Sequence, residues 1–405
     1  MKNLNRLLNW LAPVLFVLFA ASCDDGDPGM VAGENLIVMK AYYFGSNGGD
    51  DPLVVVTDTD GRILGAVKGS RWQDTPIRPS VFGFDGDLVN VYVVYASDST
   101  YSINAFLNLK RGSEFDGPNY EFQSPQFKPL KVTLSNVESF NRLTLSGDYG
   151  GLTIENVSDT TGRLRLGYAE NDRLFGQVVS GDEGRFGFAD IDEQTGTATL
   201  NVTSLSETSL KAKIELDPFV RFSSFYLKGS FDTNARSWWA YDLYSTWGRS
   251  HLDIFYPSVT FNKYFSGLSY STINRSYTEE RVATTLDLTY KRIDFDAEVS
   301  SADPQQFKMT TSGDFDFYVA MYHSPDWANH LIVYNSQKYG EFSIPDFSEI
   351  SGLRTFPFSK LKIAEIELRD YLVLTEDEKH FKFFTSGKFD IPESVRTVNF
   401  VERIN

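Results

Sequence analysis

Apolar and polar residues alternate in short runs along most of this 405-residue chain, and turn-forming residues separate the runs. A period of two puts one face of an extended chain on a core and leaves the other wet, so the pattern predicts strands. The first runs are "NLIVMKAYYF", "PLVVVT", "RILGAVK", "LVNVYVVYA" and "YSINAFLNLKRG". Asp58 to Arg62, "DTDGR", lies between the second and third. Asp-Gly between β-rich runs predicts a hairpin, because glycine accepts the positive φ of a tight turn. Eight further runs follow: "LKVTLSNV", "RLTLSG", "GLTIENV", "GRLRLGYA", "RLFGQVV", "RFGFADI", "TATLNV" and "LKAKIEL". Strands so short and so closely spaced predict β-sandwiches.

Past "DPF" at Asp217 to Phe219 the composition changes, and 37 of the 60 Phe, Tyr and Trp lie beyond Asp217. Pro218 interrupts strand pairing, which makes this a natural boundary. The strands predicted beyond it include "FSSFYLKGSF", "SWWAYDLYS", "TTLDLTYKRIDFDAEV", "FDFYVAMY", "HLIVYN", "EFSIPDF", "HFKFFTSGKF" and "VRTVNFV". "KLKIAEIELRDYLVL" fits two strand segments with a bulge, or a helix aligning Leu361, Ala364 and Leu368; the strand is favoured. The expected fold is all-β: sandwich modules over 36–128 and 129–216, then a larger aromatic-rich β domain over 217–405. A division of 36–216 into one domain or two stays open at this point.

The N-terminus carries an address. Lys2 and Arg6 precede "LLNWLAPVLFVLFAAS" and then Cys23, the single cysteine. A basic start, an apolar run and small residues make a secretory signal. The run is shorter than the roughly 20 residues of a membrane span. Ala20, Ala21, Ser22 and Cys23 resemble the lipobox of bacterial lipoproteins, with Ala20 where Leu is usual. That resemblance implies cleavage of residues 1–22, acylation of Cys23 with diacylglycerol and palmitate-type chains, and anchoring in the outer membrane. A plain signal-peptidase site with an incidental cysteine is the alternative. Residues 23–35 are acidic and carry Gly and Pro, as a flexible tether does. Asp24 and Asp25 resemble the export tag of surface-exposed Bacteroidota lipoproteins, which implies the outer face; the periplasmic face is the alternative. "VVVTDTDGRILGAVKG" resembles the opening hairpin of carboxypeptidase-regulatory-like and related Ig-like modules, which implies a structural or adhesive module.

Charge narrows the partners. Removing Lys2 and Arg6 from 38 basic residues against 54 acidic ones takes the net charge from −16 to about −18. Phosphate backbones are bound by clustered Lys and Arg, and there is no such cluster, so nucleic acid is not expected. With Cys23 lipidated no disulfide forms, and the fold rests on its core.

Catalytic signatures are missing: no G-x-S-x-G, H-E-x-x-H or phosphate-binding glycine loop. A carboxylate pair of a glycosidase has no local signature, so an enzyme is neither identified nor excluded, and the balance leans away from one. "YHSPDWANH" offers His323, Asp326 and His330, a donor set suited to zinc. Pro325 and the strand-like flanks favour instead a loop joining two strands, with Trp327 covering an edge. His251 and Asp253 read as a surface pair. No cofactor is expected, although "DTDG", "GGDDP" and "FDGD" loops could give oxygens to calcium; "DTDG" lacks the glycine position and closing Glu of an EF-hand. "SWWAYDLYSTW" places Trp238 and Trp239 on opposite strand faces with Trp247 beyond, either as a sugar-stacking platform or as core. The expected function is a non-catalytic, lipid-anchored cell-surface protein, an accessory subunit or binding module of an outer-membrane complex with an outer-membrane protein as partner. The alternatives are a polysaccharide-binding lipoprotein beside a TonB-dependent transporter, and a surface glycoside hydrolase.

Overall fold

The computed structural model describes residues 34–39, 42–43, 52–69, 72–73, 77–81, 84–97, 99–115, 128–135, 140–147, 150–157, 163–168, 173–216, 222–230, 239–247, 250–272, 275–290, 293–350, 353–371 and 395–400. These residues are nearly all β, with two short 3-10 turns and no α-helix among them. The N-terminal stretch forms β1 (Glu34–Asn35), β2 (Ile37–Met39), β3 (Tyr42–Tyr43), β4 (Leu53–Thr57), β5 (Ile63–Lys68), β6 (Trp72–Gln73), β7 (Ser80–Val81), β8 (Leu88–Ala96), β9 (Tyr101–Lys110) and β10 (Ser113–Phe115). The middle stretch forms β11 (Lys128–Ser135), β12 (Phe140–Gly147), β13 (Gly150–Val157), β14 (Arg163–Tyr168), β15 (Arg173–Ser180), β16 (Glu183–Asp190), β17 (Thr197–Asn201) and β18 (Glu207–Glu215), one strand for each of the eight predicted runs. The remainder forms β19 (Phe222–Ser230), β20 (Trp239–Trp247), β21 (His251–Pro257), β22 (Lys263–Ser271), β23 (Arg275–Ala283), β24 (Asp296–Ser301), β25 (Phe307–Ser312), β26 (Phe317–His323), β27 (Asn329–Ser336), β28 (Glu341–Phe342), β29 (Lys362–Tyr371) and β30 (Val395–Phe400). The predicted strand "HFKFFTSGKF" lies outside the described residues.

One twelve-stranded sheet organises the chain, in the order β20-β19-β22-β23-β30-β29-β26-β27-β9-β8-β4-β5. Its middle strands are apolar on both faces because cores cover both sides, as in any doubly covered sheet. On β8, Tyr92 and Val94 enter one core with Tyr318, Phe307 and Phe347. Val89, Val91 and Val93 enter the other, with Leu36, Ile37 and Phe106. The β4–β5 turn is the predicted hairpin: Gly61 has φ +87°, and Asp58 Oδ1 accepts the amides of Asp60 and Arg62 at 3.1 and 2.8 Å. β29 is a strand with a bulge: Met321 faces Glu365 and Tyr322 faces Ile363, leaving Ala364 as the extra residue.

The middle stretch closes a two-sheet sandwich. The sheet β14-β11-β17 packs on β12 and β15 through Leu130, Val132, Leu143, Leu145, Leu174 and Leu200. Gly176 permits this approach, since a Cβ there would lie 2.4 Å from Leu200 Cδ2. Hydrogen bonding continues across the limits expected near 128 and 216. β9 pairs with β27 in parallel, and β18 pairs with β21. The first and second stretches are therefore each joined to the third through a sheet.

One predicted strand is corrected. "TTLDLTYKRIDFDAEV" was expected to be extended and paired, but ladder pairing begins only at Asp296. Leu286, Leu288 and Tyr290 do alternate inward, against the core of Phe225, Leu227 and Ile254. The segment is tied by side chains instead. Arg281 binds buried Glu279 at 2.6 Å, Asp287 at 3.2 Å and the Thr289 carbonyl at 2.6 Å, and its guanidinium lies 4.4 Å from the Tyr290 ring centroid. Hydrophobic alternation reports where side chains go, and here the backbone ladder did not follow it.

The parallel seam is locked by amides. Asn108, at φ +59°, is an extra residue on β9 where the β8 register shifts, a conformation asparagine tolerates. Its N–H donates to Asn90 Oδ1 at 2.8 Å, and its Nδ2 donates to Asn335 Oδ1 at 3.0 Å. Asn335, fully buried, donates onward to Tyr318 Oη at 3.0 Å and the Tyr339 carbonyl at 3.2 Å.

Two stability outcomes are expected in urea denaturation. Asn335→Ala leaves partners of a buried amide unsatisfied and costs about 2–3 kcal/mol, seen as a lower transition midpoint. Arg281→Ala strands the buried Glu279 carboxylate and costs about 3 kcal/mol, and it opens the chain between residues 284 and 290 to proteolysis before global unfolding.

Candidate functional site

The stretch Ser324–Ala328 is the turn between β26 and β27, the loop joining two strands. Its sequence dictates its shape. The Ser324 hydroxyl is buried; it donates to Asp326 Oδ1 and accepts the Asn329 amide at 3.0 Å. Asp326 Oδ1 also accepts the Ala328 amide at 3.1 Å, and Trp327 N–H donates to the Ser324 carbonyl at 2.9 Å. Ala328 O accepts the Tyr101 amide at 3.0 Å, which fixes the turn to β9. The Ser324 hydroxyl first, and then the Ala328 amide, hold the Asp326 carboxyl below its ordinary range, with the Lys360 charge adding a smaller share.

Trp327 is the product of this arrangement. It has φ +59°, a genuine outlier for a bulky side chain that costs about 1–2 kcal/mol. Its ring stacks on His323 at 3.8 Å and 12° and tilts toward His330 at 5.9 Å. It is nevertheless 63% exposed. The expectation that Trp327 covers an edge is not met: the ring stands on the tip of the hairpin. The rim is charged, with Asp326, Lys360 and Lys362 exposed and Lys362 in register with His323 on β29.

The structure sets His323 opposite His330 across the β26–β27 pair, so two of the three proposed metal donors do meet. Asp326 does not join them, because its Oδ1 is spent on the turn, and the Trp327 ring contacts both imidazoles. His323 Nδ1 donates to the Ser324 carbonyl at 2.9 Å. Among the described residues no group of three His, Cys, Asp or Glu side chains is placed to hold a metal ion. Asp58 of "DTDG" serves its own hairpin, and "GGDDP" lies largely outside the described residues. His251 and Asp253 sit on one face of β21 with Nε2–Oδ2 at 3.5 Å, a surface pair. Trp238 and Cys23 lie outside the described residues, and for Trp239 and Trp247 the structure gives their places at the two ends of β20. What the sequence reading missed is Trp327 as an open aromatic face. The usable signal was a tryptophan among turn-formers, "SPDWAN", between two strands.

The buried carboxylates Glu279 and Glu367 are neutralised by Arg281 and Arg369. A groove of about 440 Å³ lies between Leu210, Tyr256, Val259, Tyr264 and Leu288. The carboxylate at its rim, Asp287, is already bound to Arg281.

No family model matches the chain, and no curated protein matches it. Among solved structures, Escherichia coli alpha-2-macroglobulin activated by porcine elastase is aligned at 8% identity with a TM-score of 0.13, over 84% of this chain and 41% of that one. A likeness at that score carries no argument.

Trp327→Gly removes the positive-φ strain, so its melting temperature is expected to stay at or above that of the parent. Ser324→Ala orphans the Asn329 amide, costs about 1–2 kcal/mol and lowers the melting temperature. Differential scanning calorimetry of the two variants reads both. The Asp326 carboxylate adds to turn stability above the ordinary aspartate value of 3.8, and that contribution is lost as pH falls through its lower folded value.

Proposed function

We propose that this chain is a non-catalytic, lipid-anchored cell-surface protein, an accessory subunit or binding module of an outer-membrane complex. The observation that carries this reading is the run ending at Cys23, followed at once by the acidic "DDGDPG". Two or more acyl chains make membrane attachment stable, where one is marginal. The hydrogen-bonded frame supports the reading in a second way. A continuous sheet with both central faces covered holds surface groups in fixed relation, as recognition requires.

In this reading the body stands off the membrane on its tether. The chain enters the sheet at the Lys110 end of β9, where Gly112 N–H donates to the Leu36 carbonyl at 2.8 Å and Leu36 N–H to the Pro79 carbonyl at 2.8 Å.

Cys23→Ala is expected to leave an unprocessed precursor or to release the protein into the soluble fraction, read by detergent-phase partitioning and intact mass. Gentle purification of the tagged full chain from native outer membranes should bring an outer-membrane protein with it in fixed stoichiometry. Retention of a processed Cys23→Ala chain, lacking residues 1–22 by intact mass, in the membrane at parental levels contradicts the anchor, and recovery of the chain alone contradicts the accessory-subunit role.

A further inference from the structure

We propose that the open face of Trp327 is a stacking site for a neutral pyranose ring of a carbohydrate. This goes beyond the anchored-module reading and rests on it only for the outward orientation of the site.

Three observations converge on Trp327. The ring is exposed over 63% of its surface, yet it is not loose: His323 backs one face at 3.8 Å, and the turn beneath is held by Ser324, Asp326 and Asn329. A rigid, flat aromatic with one face free offers contact area at low entropic cost on binding. The residue also takes a left-handed backbone conformation, φ +59°, which the turn hydrogen bonds and the His323 stack hold in place. Outliers of this kind persist where surrounding structure over-determines them, and they cluster at binding sites.

The surroundings select the ligand class. The other large hydrophobics exposed among the described residues are Ile63, Leu210 and Tyr339. Ile63 follows the Asp58 turn, and the Tyr339 carbonyl caps Asn335, so both lie toward the Lys110 end of β9. Leu210 is on β18, in the other large sheet. The apolar side chains on the same face, Met321 and Ile332, are half-buried against the core, so among the described residues no second large hydrophobic stands fully open beside Trp327, as the centre of a protein interface would need. Its rim is polar and of both signs: Asp326, His330, Lys360 and Lys362. A pyranose has an apolar C–H face for the ring and a hydroxyl edge for such a rim. A chain of net charge −16 does not attract a nucleic-acid strand. A lipid surface is disfavoured by position. β27 runs parallel to β9 with Asn329 beside Tyr101, so Trp327 stands at the Tyr101 end. Leu36, which follows the tether in sequence, is bonded to Gly112 at the Lys110 end, ten residues along the strand, or about 30 Å away.

The test is isothermal titration calorimetry of the full chain in detergent with malto-, cello-, xylo- and mannohexaose. At least one is expected to bind with Kd between about 10 μM and 1 mM. Trp327→Gly should weaken it by about tenfold or more, and Trp327→Phe by about threefold or less. Both variants should melt within a few degrees of the parent. No binding by any of the four at about 10 mM, or binding that survives Trp327→Gly, overturns the proposal. A melting temperature that falls along with affinity in Trp327→Gly also overturns it, because the indole is then a structural prop. None of these outcomes bears on membrane release of Cys23→Ala, so failure of this site and failure of the anchor are read separately.

Discussion

The parallel pairing of β9 with β27 is the constraint on which the rest of the molecule depends. Its two strands lie more than 200 residues apart, and the amide pair Asn108–Asn335 closes it across a separation of 227. Parallel neighbours cannot be joined by a tight hairpin, and bringing such distant segments together costs loop entropy before any contact returns it. Specific side-chain bonding is one way to hold the register once formed. A one-residue slip would turn Leu331, Val333 and Asn335 to the opposite face. Asn335 would then lose Asn108, Tyr318 and the Tyr339 carbonyl together. The buried amides thus work as a register lock, and the apolar contacts around them supply the bulk of the stabilisation.

Polar groups in this interior follow a consistent division. The asparagine ladder is satisfied along its length, and Glu279 and Glu367 each have an arginine. Burial raises the Tyr101 phenol to about 12, so it remains a neutral hydroxyl within an aromatic cluster that includes Phe356 at 4.7 Å. Large rings dominate core packing; the Tyr318 hydroxyl donates to the Tyr339 carbonyl at 2.9 Å, whereas the Tyr101 hydroxyl is buried without a hydrogen-bond partner, at a cost of about 1–3 kcal/mol. A chain expected to lack disulfides thus rests on a core in which Phe and Tyr pack beside aliphatic residues.

Strand identity was legible from alternation, and pairing was not. Each of the eight middle runs forms a strand. The hairpin over Lys263–Ala283 is not among the predicted runs; its second strand carries Glu279, Glu280 and Arg281 in succession, which breaks apolar alternation. In the structure Glu279 turns inward with Arg281 as its counter-ion, while Glu280 faces outward and accepts from Tyr226. The stretch 284–295 shows the opposite failure. Leu286, Leu288 and Tyr290 alternate as a strand would, but their backbone has no ladder. The candidate site was half legible. The sequence offered His323, Asp326 and His330 as metal donors but favoured a loop joining two strands; the turn is there, with Asp326 in it and the two histidines on the strands that flank it. The turn needs Asp326 for its own amides, and that need is visible only when Ser324 and Ala328 are seen on the same carboxylate.

Strain at the Trp327 turn and order at the seam are linked through one strand. A tryptophan at positive φ would relax if its flanks could move. Ser324 and Asn329 pin it from β26 and β27, and the Ala328 carbonyl is bound by Tyr101 at the start of β9. Tyr101 stays in place because β9 is paired along its length with β8 and β27, and Asn108 fixes that pairing at the far end. The exposed ring therefore draws its rigidity from buried amides six to seven residues along the paired strands, or about 20–25 Å away. A turn of the same sequence on an isolated hairpin would lack the third support, and hairpins alone are marginal in water. The local sequence shapes the tip, and the long-range pairing keeps it in that shape.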